Sequence, residues 1–209
     1  ISTDGFEAFI GRNHLEHFSS EGFSDQEVIE AFLKADLPEW LTDKLEVYLS
    51  RVTYPLSVRS SSLLEDAQFQ PYAGLYETYM IPNNHPDLSR RLQHLIRAVK
   101  LVYASTYCEA PKAFSRNTSN QPQEEAMAVI IQQVTGSCYK DFFYPAISGV
   151  AQSHNFYPIP PMKPDDGIIQ VALGFGKTVV DLANEKGAAV IAIKALSKGA
   201  WPQGVERTR

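Results

Sequence analysis

The chain has 209 residues, 44% of them hydrophobic and 21% charged, enough to bury a core as one domain or as two small lobes sharing a cleft. Its formal net charge of −5 argues against nonspecific nucleic-acid binding, which needs a basic face, so any phosphate site must be local. No uninterrupted apolar run approaches the length of a membrane span, and the first residues lack a charged region followed by an apolar block, so neither a span nor a signal peptide is expected and the cytoplasm is the expected compartment.

In chain order, Ile1–Ile10 reads as a strand end passing into a helix, with Thr3 or Asp4 as N-cap and Phe6, Phe9 and Ile10 on one face. Ser24-Asp25-Gln26-Glu27 is a capping box, and Val28, Ile29, Phe32 and Leu33 carry the helix to about Ala35. A second helix is expected from near Pro38, with Leu41, Leu45, Tyr48, Leu49 and Val52 as its stripe. His14 and His17 precede this pair without a partner that would complete a metal site.

The stretch Pro55–Met80 concentrates chemistry. Tyr54–Val58 has the character of a buried strand, and Arg59 follows at its end with three hydroxyls, Ser60, Ser61 and Ser62. A planar, permanently charged guanidinium there can fork onto phosphate oxygens, while hydroxyls and backbone N–H groups take the others. Gly74 opens a second run, Leu75-Tyr76-Glu77-Thr78-Tyr79, and lets backbone approach a ligand closely. The alternative for Arg59 is an ordinary surface ion pair with Glu65 or Asp66.

Pro82–Pro86 reads as a turn, after which Asp87 or Ser89 caps a long helix to about Cys108. Leu92, Leu95, Ile96, Val99, Val102 and Tyr103 form its apolar face, and Arg90, Arg91, Arg97 and Lys100 are expected on a solvated face. Cys108 and Cys138 have neither metal-ligand spacing nor disulfide density and read as free buried thiols. Asn117–Glu125 is polar and flexible in composition, a candidate lobe boundary. Strands are expected at Met127–Val134, Ile147–Ser153 and Gly167–Leu173, with a further short one at Ala188–Lys194. Gly174-Phe175-Gly176-Lys177-Thr178 contains Gly-Lys-Thr after a strand, but a P-loop needs glycine where Val171 stands.

The order VRSS-x3-ED, then AG-x2-ET, resembles the N-terminal nucleotide-binding domain of the phosphoenolpyruvate synthase and pyruvate phosphate dikinase family, carried by Arg59, Ser60, Ser61, Glu65, Asp66, Ala73, Gly74, Glu77 and Thr78. Met127–Val134, Gly149-Val150 and the glycines Gly174 and Gly176 are similar to later family segments, whereas Leu75, Lys177 and Leu182 depart from the pattern. The resemblance implies an α/β (α+β) fold of ATP-grasp type, with a mostly antiparallel open sheet flanked by helices. It spans about 1–182, with the lobe boundary near 117–125 and an unassigned tail at 183–209. Because the chain begins at Ile1 in mid-pattern, it is expected to be a fragment of a longer protein.

The resemblance further implies ATP as ligand. Arg59 would act on the β- and γ-phosphates, Ser60, Gly74 and Thr78 would meet the triphosphate, Gln132 the adenine or ribose, and Gly174 and Gly176 would supply permissive backbone. Magnesium ligands are expected outside this chain, as are an upstream lysine, a phosphohistidine swivelling domain and an acceptor-binding domain; a homodimer is compatible with all of this. The implied function is the ATP-binding portion of a phosphotransferase that phosphorylates a histidine on a separate domain for transfer to pyruvate or a similar acceptor, this fragment being inactive alone. The alternative is a non-catalytic nucleotide-binding or regulatory module of the same fold.

Overall fold

Apolar residues at helical spacing build the first part of the molecule, and a computed structural model describes residues 1–62, 75–116, 126–174 and 193–195 of the chain. Two units are distinguished, Ile1–Val134 and Thr135–Arg209. The expected boundary at 117–125 lies outside the described residues, and the division between units falls just after the strand that follows it.

In the first unit, helix α1 (Thr3–Asn13) buries Phe6, Phe9 and Ile10. It ends where His14 takes φ 54° and the Leu15 N–H returns to the Ile10 carbonyl, the hydrogen bond that closes a left-handed helix C-terminus. Ser2, one residue before the expected cap, occupies the N-cap position and makes no side-chain cap bond. Helix α2 (Asp25–Lys34) opens on the expected box: Ser24 Oγ accepts from the Glu27 N–H and Glu27 Oε2 accepts from the Ser24 N–H. Helix α3 (Glu39–Arg51) buries Leu41, Leu45 and Leu49, with Pro38 just outside as N-cap.

Helix α4 (Leu88–Ser105) is capped by Asp87, whose Oδ1 accepts from the Ser89 N–H. It stops three residues before the expected end, and a separate helix α5 (Glu109–Arg116) follows. Pro111 in its first turn explains the break, because a proline is tolerated there but not inside a continuing helix. The sheet has the order β2-β1-β3, formed by β1 (Leu56–Ser61), β2 (Thr78–Ile81) and β3 (Ala128–Gln133), with both pairings antiparallel. Helix α4 packs on this sheet and against α2 and α3. The core between them is aromatic at its centre, with Phe9 5.7 Å from Phe32 and 5.5 Å from Tyr103 between ring centroids.

Two expectations change here. Strand β1 begins at Leu56 and runs through Ser61, so Arg59 and Ser60 lie within the strand rather than after it; the ladder to β3 continues as far as Ser61 opposite Ala128 and holds the hydroxyl residues extended. The basic residues of α4 are not one solvated face. Arg90 and Arg97 are exposed, but Arg91 is buried and Lys100 donates to the Leu33 carbonyl at 3.3 Å.

The second unit is all β among its described residues, apart from a short 3₁₀ turn at Pro164–Asp166. A hairpin of β4 (Ser137–Tyr139) and β5 (Phe142–Tyr144), unmarked by any glycine turn in the sequence, precedes β6 (Ile147–Gln152), β7 (Ile168–Leu173) and β8 (Ile193–Ala195), which form an antiparallel sheet in that order. Gly149 is required where it stands, since a Cβ would collide with the Gln170 carbonyl oxygen across the pair.

The two thiols differ. Cys138 is exposed, against expectation, while Cys108 is half-buried. Burial first, and the Asp25 carboxylate second, push the Cys108 thiol up to about 12, so it stays protonated and unreactive at neutral pH. Maleimide applied to the native protein at neutral pH therefore labels Cys138 and spares Cys108, and denaturation opens both; native labelling of two thiols, read by mass spectrometry, would contradict this assignment.

Candidate functional site

Strand β1 sends alternate side chains to opposite faces. Leu56, Val58 and Ser60 point into the core under α4, while Ser57, Arg59 and Ser61 point the other way. The register then brings the sequence-predicted residues together. Arg59 stands directly opposite Thr78 on β2 and Ile130 on β3, and Ser57 stands opposite Met80 and Gln132. Residues directly opposite in antiparallel strands share a face with Cβ atoms about 5 Å apart, and diagonal neighbours lie at roughly 7 Å. Arg59, Thr78 and Gln132, from three strands, therefore occupy one face within reach of one ligand, and all three are exposed.

The same face carries groups that the sequence did not single out. Met80 and Ile130 are exposed at 51% and 37%, and Ser57, between Met80 and Gln132, is buried. Ser57 was accessible to prediction through the two-residue strand period around Arg59; Met80 and Ile130 follow only from the cross-strand register.

Ser60 falls on the opposite face and is 4% exposed, so its side chain does not share the face of Arg59. Gly74 and Gly176 lie outside the described residues, as do Glu65, Asp66, Ala73, Lys177 and Leu182. Gly174 belongs to the second unit, with φ 67°; its N–H donates to the Ala146 carbonyl at 3.2 Å and its carbonyl accepts from Ser148 Oγ at 2.6 Å. Its backbone polar groups are therefore engaged within its own sheet.

Among the described residues no carboxylate lies within ion-pair distance of Arg59, and the alternative partners Glu65 and Asp66 lie outside them. An exposed cation beside a threonine hydroxyl and an amide is chemically suited to an anionic ligand carrying hydroxyl groups. Leu75 and Tyr79 pack against the core, and burial raises the Tyr79 phenol, with the Glu77 carboxylate adding to the effect. Among the described residues no group of three or more histidine, cysteine or acidic side chains is placed to hold a metal ion. A ring nitrogen of His17 is hydrogen-bonded to the His14 carbonyl at 2.8 Å, and the His17 ring packs on Phe18.

A family model described as "Pyruvate phosphate dikinase, AMP/ATP-binding domain" matches residues 1–195. The chain belongs to this family. As a pyruvate phosphate dikinase AMP/ATP-binding domain it is an ATP-grasp-like, adenine-nucleotide-binding module of phosphotransferases, in keeping with its mixed helices and antiparallel sheets. It is also 27% identical over 183 residues to a Bacillus subtilis (strain 168) protein named "Uncharacterized phosphotransferase YvkC". That match covers 86% of this chain and 19% of the relative, so the chain spans about a fifth of the relative's length. No helix among the described residues is long and apolar enough to cross a membrane.

Proposed function

We propose that this domain supplies the nucleotide site of an ATP-dependent phosphotransferase, in which a histidine on a separate swivelling domain takes the phosphoryl group before it passes to pyruvate or a similar acceptor. The observation that carries this reading is the register that sets Thr78 opposite Arg59 and Gln132 diagonal to it on one exposed face. Arg59 binds and aligns the β- and γ-phosphates and offsets the charge that spreads over phosphoryl oxygens during transfer, a reaction needing electrostatic compensation and alignment more than covalent help. Thr78 donates its hydroxyl to a phosphate oxygen, and Ser61, on the same side of β1, is available to another.

Gln132 sits close to Arg59 along the sheet, and that spacing favours a ribose hydroxyl over the more distant edge of the base. Met80 and Ile130 supply exposed apolar surface beside it. Magnesium would accompany the nucleotide with carboxylate ligands supplied from outside this chain. Leu75, Lys177 and Leu182, where the family pattern is broken, favour a second reading, a nucleotide-binding module without phosphoryl transfer.

The two readings separate on one measurement. The full-length protein, incubated with magnesium and ATP labelled in the β- or γ-phosphate, is expected to acquire acid-labile, base-stable phosphate on a histidine. Tight nucleotide binding with no such phosphohistidine would remove the phosphotransfer reading and leave the regulatory one.

A further inference from the structure

The buried arginine of α4 has no role in the nucleotide face itself, yet its contacts converge on the corner from which that face is built. Arg91 is 8% exposed. Its Nη1 donates to the Leu49 carbonyl at 3.0 Å, to the Val52 carbonyl at 2.9 Å and to Asn83 Oδ1 at 3.4 Å. Asn83, itself 3% exposed and held at φ 50°, donates from Nδ2 to the carbonyls of Val52 and Tyr54 at 3.2 and 3.0 Å. The pair thus joins the C-terminus of α3, the segment leading into β1, the turn two residues beyond β2, and α4. At the same corner the Val134 N–H donates to the Pro55 carbonyl at 2.9 Å, closing the end of β3 onto the start of β1.

A buried cation normally has a carboxylate partner, because desolvating it is costly. Arg91 has none among the described residues, and its Nε is buried without a hydrogen-bond partner. The carbonyls at the end of α3, the negative pole of that helix, take the place of a counter-ion. What the guanidinium does and apolar packing cannot is gather acceptors from separate segments on one nitrogen, Nη1, which fixes where those segments lie relative to one another.

We propose that Arg91, through Asn83, is a positioning residue for the Arg59 site, holding β1 and β2 so that Thr78 faces Arg59. This rests on the reading of Arg59 as the phosphate-binding group. The ends of all three site strands, at Leu56, Ile81 and Gln133, meet at the corner Arg91 secures, three residues along β1 from Arg59. A shift there displaces Arg59 and Thr78 relative to each other, and phosphate recognition, which depends on converging donors, suffers before the rest of nucleotide binding does.

The test is a double-mutant cycle in the full-length protein, measured by calorimetry with ATP and with AMP in the presence of magnesium. Arg91→Lys keeps the charge but shortens the side chain, so that its donor no longer reaches all three acceptors; Asn83→Gly keeps the backbone conformation and loses the side chain, and serves if the lysine variant does not fold. Either is expected to weaken ATP about tenfold, the worth of one charge-assisted hydrogen bond, while AMP affinity changes little. In an Arg59→Ala background the same changes should have no further effect on ATP. Equal weakening of ATP and AMP, or a loss additive with that of Arg59→Ala, would make Arg91 a stabilising residue only and overturn the proposal, as would unchanged affinity for both nucleotides. Failure of the underlying reading looks different: Arg59→Ala alone would then leave ATP affinity unchanged.

Discussion

Replacing Arg59 by alanine is expected to weaken magnesium-ATP binding to the full-length protein about a hundredfold, the loss of roughly 3 kcal/mol from two charge-assisted hydrogen bonds. The magnitude follows from the placement of the side chain. Arg59 is exposed on the outer face of the central strand, so its removal leaves the core under α4 intact and the far-ultraviolet circular dichroism unchanged. The neighbouring change Thr78→Val, which keeps the β-branched shape and removes a neutral donor, should cost about 1 kcal/mol, and less than Arg59→Ala. Unaltered calorimetric affinity in folded Arg59→Ala protein would remove the phosphate assignment from this face altogether. An equal loss in the two variants would instead mean that geometry, rather than charge, dominates the site.

Phe9→Ala should be the most damaging of the core truncations, destabilising the protein by about 4 kcal/mol. Phe9 has no exposed surface and lies between Phe32 of α2 and Tyr103 of α4, so its ring is shared by three helices. Removing it opens a cavity at their junction that rigid neighbours cannot close, and the buried Tyr103 hydroxyl, without a hydrogen-bond partner among the described residues, offers no compensating bond. Urea denaturation followed by circular dichroism reads the change as a lower midpoint with an unchanged slope. The exposed Val47 on α3 is the control: Val47→Ala should shift stability by less than about 0.5 kcal/mol. A loss below about 1 kcal/mol for Phe9→Ala would show that the three helices are not held through this ring.

Helices α1 to α4 were legible because each rests on a local rule. The box at Ser24 and Glu27, the cap at Asp87 and the stripes of Val28 and Phe32 or Leu95, Val99 and Val102 act within a few residues of one another, and the physics that selects them is the same in a peptide as in the protein. Helix α5 and the hairpin of β4 and β5 were not legible: α5 is only eight residues long, and the hairpin turns through Lys140 at φ 56° with no glycine or asparagine to mark it. The fate of Arg91 was hidden for another reason. Its neighbours Arg90 and Arg97 are solvated, and nothing local distinguishes a lysine or arginine bound for water from one that will meet the carbonyls of a different helix.

The site divides along the same line. By itself the sequence determined which residues could serve it, because Arg59, Thr78 and Gln132 carry their chemistry and family spacing wherever the chain places them. Only the tertiary structure decided which of them share a face. A strand reverses its side chains at every residue, so Ser60 turns into the core while Ser57 and Ser61 join Arg59. The register between strands, which sets Thr78 and Ile130 against Arg59, depends on contacts between segments far apart in the chain and on the corner where Asn83 and Arg91 hold them.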